Sequence, residues 1–248
     1  MWKPVFACVM ALSALLAASA APAAELTETE TRWLKAVWPV VTYAKEQKLA
    51  LDIVVQPQEA PGLPPLALAF VNGRCKLVFS MRGNPEAQAT LDRLDPELLA
   101  PVLEMMAAHE LGHCRRHLDG AWHALPAGHA VHVPDALGTE LRADYLGMQA
   151  TRREEAYGDL VGLAWTWQRH PQLYAKVHAW LVAERSRDLL PGSHHDTLAW
   201  VELARRSGAL PTLFDGPAAL WLTGLAVAEE ASRAGTRRSA LEVRASGG

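Results

Sequence analysis

Asp95-Pro96-Glu97-Leu98-Leu99-Ala100-Pro101-Val102-Leu103-Glu104-Met105-Met106-Ala107-Ala108-His109-Glu110-Leu111-Gly112-His113 is the stretch on which the reading of the whole chain turns. Asp95 is an N-cap residue and Pro96 suits the first helical position, so a helix is predicted from here to about Leu118, with Gly120 beyond its end. His109 and His113 are four apart within it, which places both imidazoles on one face of successive turns. Two neutral imidazoles so placed can grip one metal ion, and Zn²⁺ suits them at about 2.0–2.1 Å. Glu110 stands one step round the helix, beside such an ion, where a carboxylate can take a proton from water.

A catalytic zinc site takes three protein ligands and keeps one position open. His117 continues the histidine row, but it lies about 12 Å along the axis from His109, too far to reach the same ion. Asp119 would need the chain to turn just after the helix, and Arg116 stands where a glycine would make that turn. Glu140, in Gly138-Thr139-Glu140-Leu141-Arg142-Ala143-Asp144-Tyr145-Leu146-Gly147, is the preferred third ligand. Asp144 shares its helical face and can accept the free N–H of a ligating imidazole, which fixes the tautomer.

Together, His109-Glu110-Leu111-Gly112-His113 and the E-x-x-A-D-x-x-G run from Glu140 to Gly147 resemble the gluzincin metallopeptidases, in particular soluble exported members of the CAAX-protease-like family. The resemblance implies a zincin-like fold and one Zn²⁺ per chain, held by His109, His113 and Glu140 with Asp144 behind them. It implies a zinc-dependent endopeptidase that cuts proteins or peptides by a zinc-bound water activated by Glu110. It further implies that a strand before the active helix holds the substrate backbone, a role open to Cys75–Ser80. A donor must also stabilise the developing oxyanion, and His194, His195 and Tyr145 are the candidates.

Around this centre the chain reads as one α+β domain, mainly α, over residues 25–234. Thr27-x-x-Glu30 is a capping box opening the first helix. Leu51–Val55 reads as a strand, and Leu66–Val71, Asn72-Gly73, Cys75–Ser80 as a β-hairpin with a type I′ turn. The small antiparallel sheet thus precedes the active helix, and a helical C-terminal half follows. Helices are predicted to about Glu154 and then over 155–169, 173–189, 196–206 and 217–234. Arg115-Arg116 and Arg152-Arg153-Glu154-Glu155 read as solvated helix faces. Residues 235–248 read as a flexible tail.

Half of the 248 residues are hydrophobic and 21% are charged, which excludes a disordered chain. A formal net charge of −3 gives no electrostatic case for nucleic acid. Residues 1–24 carry Lys3, an apolar run and an A-x-A close, the pattern of a signal peptide, so a periplasmic or secreted protein is expected. No stable membrane span is expected in the mature chain. Export would leave Cys75 and Cys114, which can form one bridge or remain buried thiols. The expected partner is a protein or peptide substrate. Two other functions fit the same residues: a peptidase-like binding or chaperone module without activity, and a metal-binding protein using the additional histidines.

Overall fold

The computed structural model describes residues 25–124, 133, 137–187 and 192–205. The expected signal peptide, the predicted helix 217–234 and the tail lie outside the described residues, as do His129 and His132. Helix α1 (Glu28–Glu46) opens with the expected capping box: Thr27 Oγ1 accepts from the Glu30 N–H, and the Thr27 N–H donates to Glu30. Arg82 donates to both Glu30 oxygens, so the cap also ties α1 to the sheet. The Trp33 indole, fully buried on the inner face of α1, donates to the Ala87 carbonyl at 3.0 Å.

Strands β1 (Leu51–Pro57), β2 (Leu66–Val71) and β3 (Arg74–Arg82) form one sheet in the order β1-β3-β2. The hairpin is as expected, with Asn72 and Gly73 both at positive φ (53° and 74°), as a type I′ turn requires. The sheet is mixed rather than antiparallel, because β1 pairs parallel with β3. This pairing also makes β3 the central strand. The Cys75–Ser80 segment, expected to hold a substrate, therefore has both edges occupied, and β2 carries the free edge beside the histidine-bearing helix.

Helix α2 (Pro85–Arg93) leads into α3 (Pro96–Leu118), the predicted helix bearing His109 and His113. α3 packs against α1, β2 and the long helix α4 (Thr139–Arg169), which explains why it is buried on most of its surface. Cys75 on β3 and Cys114 on α3 are joined by a disulfide, with both residues fully buried and their Cα atoms 5.6 Å apart. The bridge fastens the central strand to α3 one residue beyond His113.

α4 is one continuous helix where two were predicted. Residues 152–155 carry no glycine or proline that would end it, and their charges are not all solvated. Glu154 is buried and accepts two hydrogen bonds from Arg116 of α3, at 2.7 and 2.9 Å. Arg116 compensates a carboxylate that would be strongly unfavourable buried alone, so α4 can carry this charged run through the interface. Beyond α4 come a 3₁₀ turn (Pro171–Leu173), α5 (Tyr174–Arg187) and α6 (Leu198–Ala204). The chain is α+β and mainly helical. Among the described residues no helix is long and apolar enough to cross a membrane.

Candidate metal centre

α3 and α4 approach closely because glycines line their contact. A Cβ on Gly158 would lie 2.7–2.8 Å from three ring atoms of His109, and one on Gly162 would lie 2.7 Å from the Met105 carbonyl oxygen. The helix axes can therefore come near enough for a short carboxylate on α4 to reach imidazoles on α3. That carboxylate is Glu155. One oxygen lies 3.4 Å from His109 Nε2 and the other 3.6 Å from His113 Nε2.

The two Nε2 atoms are 2.8 Å apart, and one ligand atom from each of His109, His113 and Glu155 falls within a common 4.8 Å. Tetrahedral ligands at about 2.0–2.1 Å stand roughly 3.3–3.4 Å from one another. The three side chains thus need shifts of only a few tenths of an ångström to share an ion. Both histidines are buried, and Glu155 is nearly so.

Behind them stands Asp159, one helical turn beyond Glu155 and almost fully buried. It lies 3.0 Å from His109 Nδ1, accepts a bidentate pair from Arg185 of α5, and accepts the Thr197 hydroxyl at 2.6 Å. An acceptor at Nδ1 puts that proton on the acid side and directs Nε2 toward the centre. Burial alone would depress the His109 pKa, yet Asp159 and Glu155 outweigh it and lift it to about 10. His109 Nε2 stands 2.8 Å from His113 Nε2, and burial with the His109 charge pushes the His113 pKa down to about 3. Burial pulls Glu155 upward, but the hydrogen bond and charge of His109 prevail and hold it at about 2. The centre therefore demands positive charge at the point where the two Nε2 atoms meet. A divalent cation fits this donor set. Among the described residues His113 Nδ1 is buried without a hydrogen-bond partner.

Glu110 is absent from this ligand group. The Leu68 backbone N–H, on the free edge of β2, lies near enough to pull on its carboxylate. Burial, with the nearby charge of Glu155, raises its pKa to about 7 against the pull of His109, Leu68 and Arg185. That value lets it exchange a proton near neutrality.

Glu140 and Asp144 take no part in this arrangement. Both are exposed in the first turns of α4, and Glu155 lies 15 residues further along that helix, about 22 Å by its rise. The preferred pattern of Glu and Asp four apart recurs at Glu155 and Asp159, in Glu155-Ala156-Tyr157-Gly158-Asp159, and this copy faces His109. Tyr145 lies in the same outer part of α4 as Asp144. His195 does come to the centre, with Nε2 at 3.8 Å from Glu155, while its ring packs on His194 at 4.1 Å. The loop carrying it is held by Asp196, which pairs with Arg152 at 2.9 Å and accepts from the Gly192 N–H at 2.8 Å. Sequence reasoning placed Glu155 on a solvated face and did not single out Asp159, Arg185 or Thr197. His117 joins an aromatic stack instead of the centre.

No family model, curated protein or solved structure matches this chain.

Proposed function

We propose that the protein is an exported, zinc-dependent endopeptidase of gluzincin type, with His109, His113 and Glu155 as metal ligands and Glu110 as general base. The observation that carries this reading is the placement of a three-donor group, His109, His113 and Glu155, beside a fourth carboxylate outside it, Glu110. A structural metal site would have no use for that fourth acid. Bound zinc would supply Lewis acidity, polarising a scissile carbonyl and making water more acidic.

The chain's own residues do the rest. The free edge of β2 offers backbone groups of Leu66, Leu68 and Phe70 to an extended peptide, a strand-addition mode that brings a peptide bond alongside Glu110. Glu110 accepts the proton of the attacking water and later delivers it to the departing amine nitrogen. Asp159, pinned by Arg185 and Thr197, keeps His109 in one tautomer throughout. His195 overhangs Glu155 from the opposite loop and can donate to oxygen as charge develops on it.

Glu110→Gln tests the reading, since the amide cannot accept the proton yet leaves the donor group intact. The variant should retain one zinc per chain and lose cleavage of an unfolded protein by at least about 100-fold. Cleavage at the parental rate would refute the mechanism. Zinc binding by a parent that cuts nothing would favour the binding-module reading.

A further inference from the structure

Beside the metal centre, four aromatic rings from three segments stack into a continuous wall. Phe70 of β2 lies on His117 of α3 with centroids 4.7 Å apart and planes 9° from parallel. His117 lies on Trp122 at 4.0 Å and 14°, and Trp122 on His123 at 5.1 Å and 25°. Trp122 also meets His113 edge-on at 5.3 Å. The wall therefore begins at a proposed metal ligand and ends on the free edge strand.

The turn that presents Trp122 is built at some cost. His123 sits at a φ of 62°, a left-handed conformation that a non-glycine residue rarely adopts. Its N–H donates to the buried carboxylate of Glu154 at 2.9 Å, and Arg116, paired with the same carboxylate, donates to the Ala124 carbonyl at 3.0 Å. A strained residue held by a buried ion pair indicates a fixed position for the ring rather than chance surface packing. Phe70 meanwhile keeps 37% of its surface exposed, so the strand end of the wall is open.

The hairpin register says what can lie there. Val71 and Arg74 flank the two-residue turn as a hydrogen-bonded pair, so Phe70 and Leu68 are non-hydrogen-bonded with respect to β3. Their backbone groups consequently face the free edge. A peptide added antiparallel to β2 would pair with Leu68 beside Glu110, and two residues toward its N-terminus it would pair with Phe70. Side chains of directly paired residues share a face, so that residue's side chain lies against the wall.

The geometry points to a substrate-recognition wall of Phe70, His117 and Trp122 that selects a large apolar or aromatic side chain on the N-terminal side of the scissile bond. This rests on the peptidase reading for its location, but binding can be measured without turnover. The probe is the zinc-loaded full chain carrying Glu110→Gln, titrated by fluorescence anisotropy with labelled peptides in which Phe, Leu, Ala or Asp is moved along an otherwise constant sequence. At one position Phe should bind roughly 10- to 100-fold tighter than Ala. Phe70→Ala, at an exposed hairpin position that does not touch the metal ligands, should reduce that ratio to below about threefold. Trp122→Ala should do the same, with zinc content measured alongside because Trp122 touches His113. Absence of any discriminating position, or discrimination unchanged by Phe70→Ala, overturns the assignment. Where the parent cuts these peptides, a preference on the C-terminal side of the cut overturns it too. A parent that cuts nothing while the Glu110→Gln chain discriminates would refute the peptidase reading and leave the wall standing.

Discussion

Gly158 should be a position where even the smallest side chain harms both the fold and the histidine centre. Its added methyl would sit 2.7 Å from His109 Cε1 and 2.8 Å from both ring nitrogens, against an ordinary contact of 3.4 Å or more. The ring or the helix must therefore give by about 0.7 Å, several times the roughly 0.2 Å within which metal–ligand distances are held. The hydrogen bond from His109 Nδ1 to Asp159 would be disturbed by the same movement. Gly158→Ala is expected to cost about 1–3 kcal/mol as overpacking and to weaken zinc binding roughly 10- to 100-fold. Gly147, on the same helix with nothing within 4 Å of an added methyl, is the control. There, Ala should stabilise by about 0.5–1 kcal/mol through helix propensity and leave zinc affinity alone. Urea unfolding of both variants and competition for zinc with a chromophoric chelator measure the two effects. If Gly158→Ala matches Gly147→Ala in both assays, the close approach of α4 to His109 is not a feature of the molecule.

The Cys75–Cys114 bridge closes a loop with a sequence separation of 39, so a reduced or doubly Ser-substituted chain should lose about 3–4 kcal/mol in urea unfolding. Equal stability of the oxidised and reduced forms would show that the bridge does not constrain the unfolded chain. Glu30 gives a pH test. Burial raises its pKa, but the bonds from Arg82 and Thr27 prevail and set it below 4.5. Its contribution is therefore complete above about pH 4.5 and is lost as pH falls through the lower, folded-state value. Glu30→Gln should accordingly be less stable than the parent at pH 7, with the gap closing in acid. A gap that widens below pH 4.5 would reverse the sign of that shift.

The hairpin, the capping box of α1 and the histidine-bearing helix were legible because each depends on local chemistry: Asn72-Gly73, Thr27 with Glu30, and Pro96 in the first turn, although the Asp95 side chain makes no capping hydrogen bond. The carboxylate that faces the two histidines was not. Glu140 and Glu155 each begin a Glu-x-x-x-Asp run, and spacing along one helix cannot say which copy reaches another helix. Burial decides it. The residues around Glu140 are exposed, whereas Ala156, Tyr157, Leu160, Val161, Leu163 and Ala164 form the interface of α4. The legible signal was the pair Gly158 and Gly162, small residues four apart in the apolar stretch, which lie against His109 and Met105 of α3. The charges at 152–155 masked it, since the partner of Glu154 is Arg116, 38 residues away. The parallel pairing of β1 was equally invisible, because it is fixed by the crossover of the chain and not by either strand alone.

The metal centre stands or falls on its third ligand, and zinc affinity measured for the parent, Glu155→Gln and Glu140→Gln tests that identity directly. Glu140→Gln should bind one zinc per chain as tightly as the parent, while Glu155→Gln should lose at least about 100-fold in affinity with its fold intact. Parental affinity in Glu155→Gln, or a loss confined to Glu140→Gln, would contradict a site built on His109, His113 and Glu155.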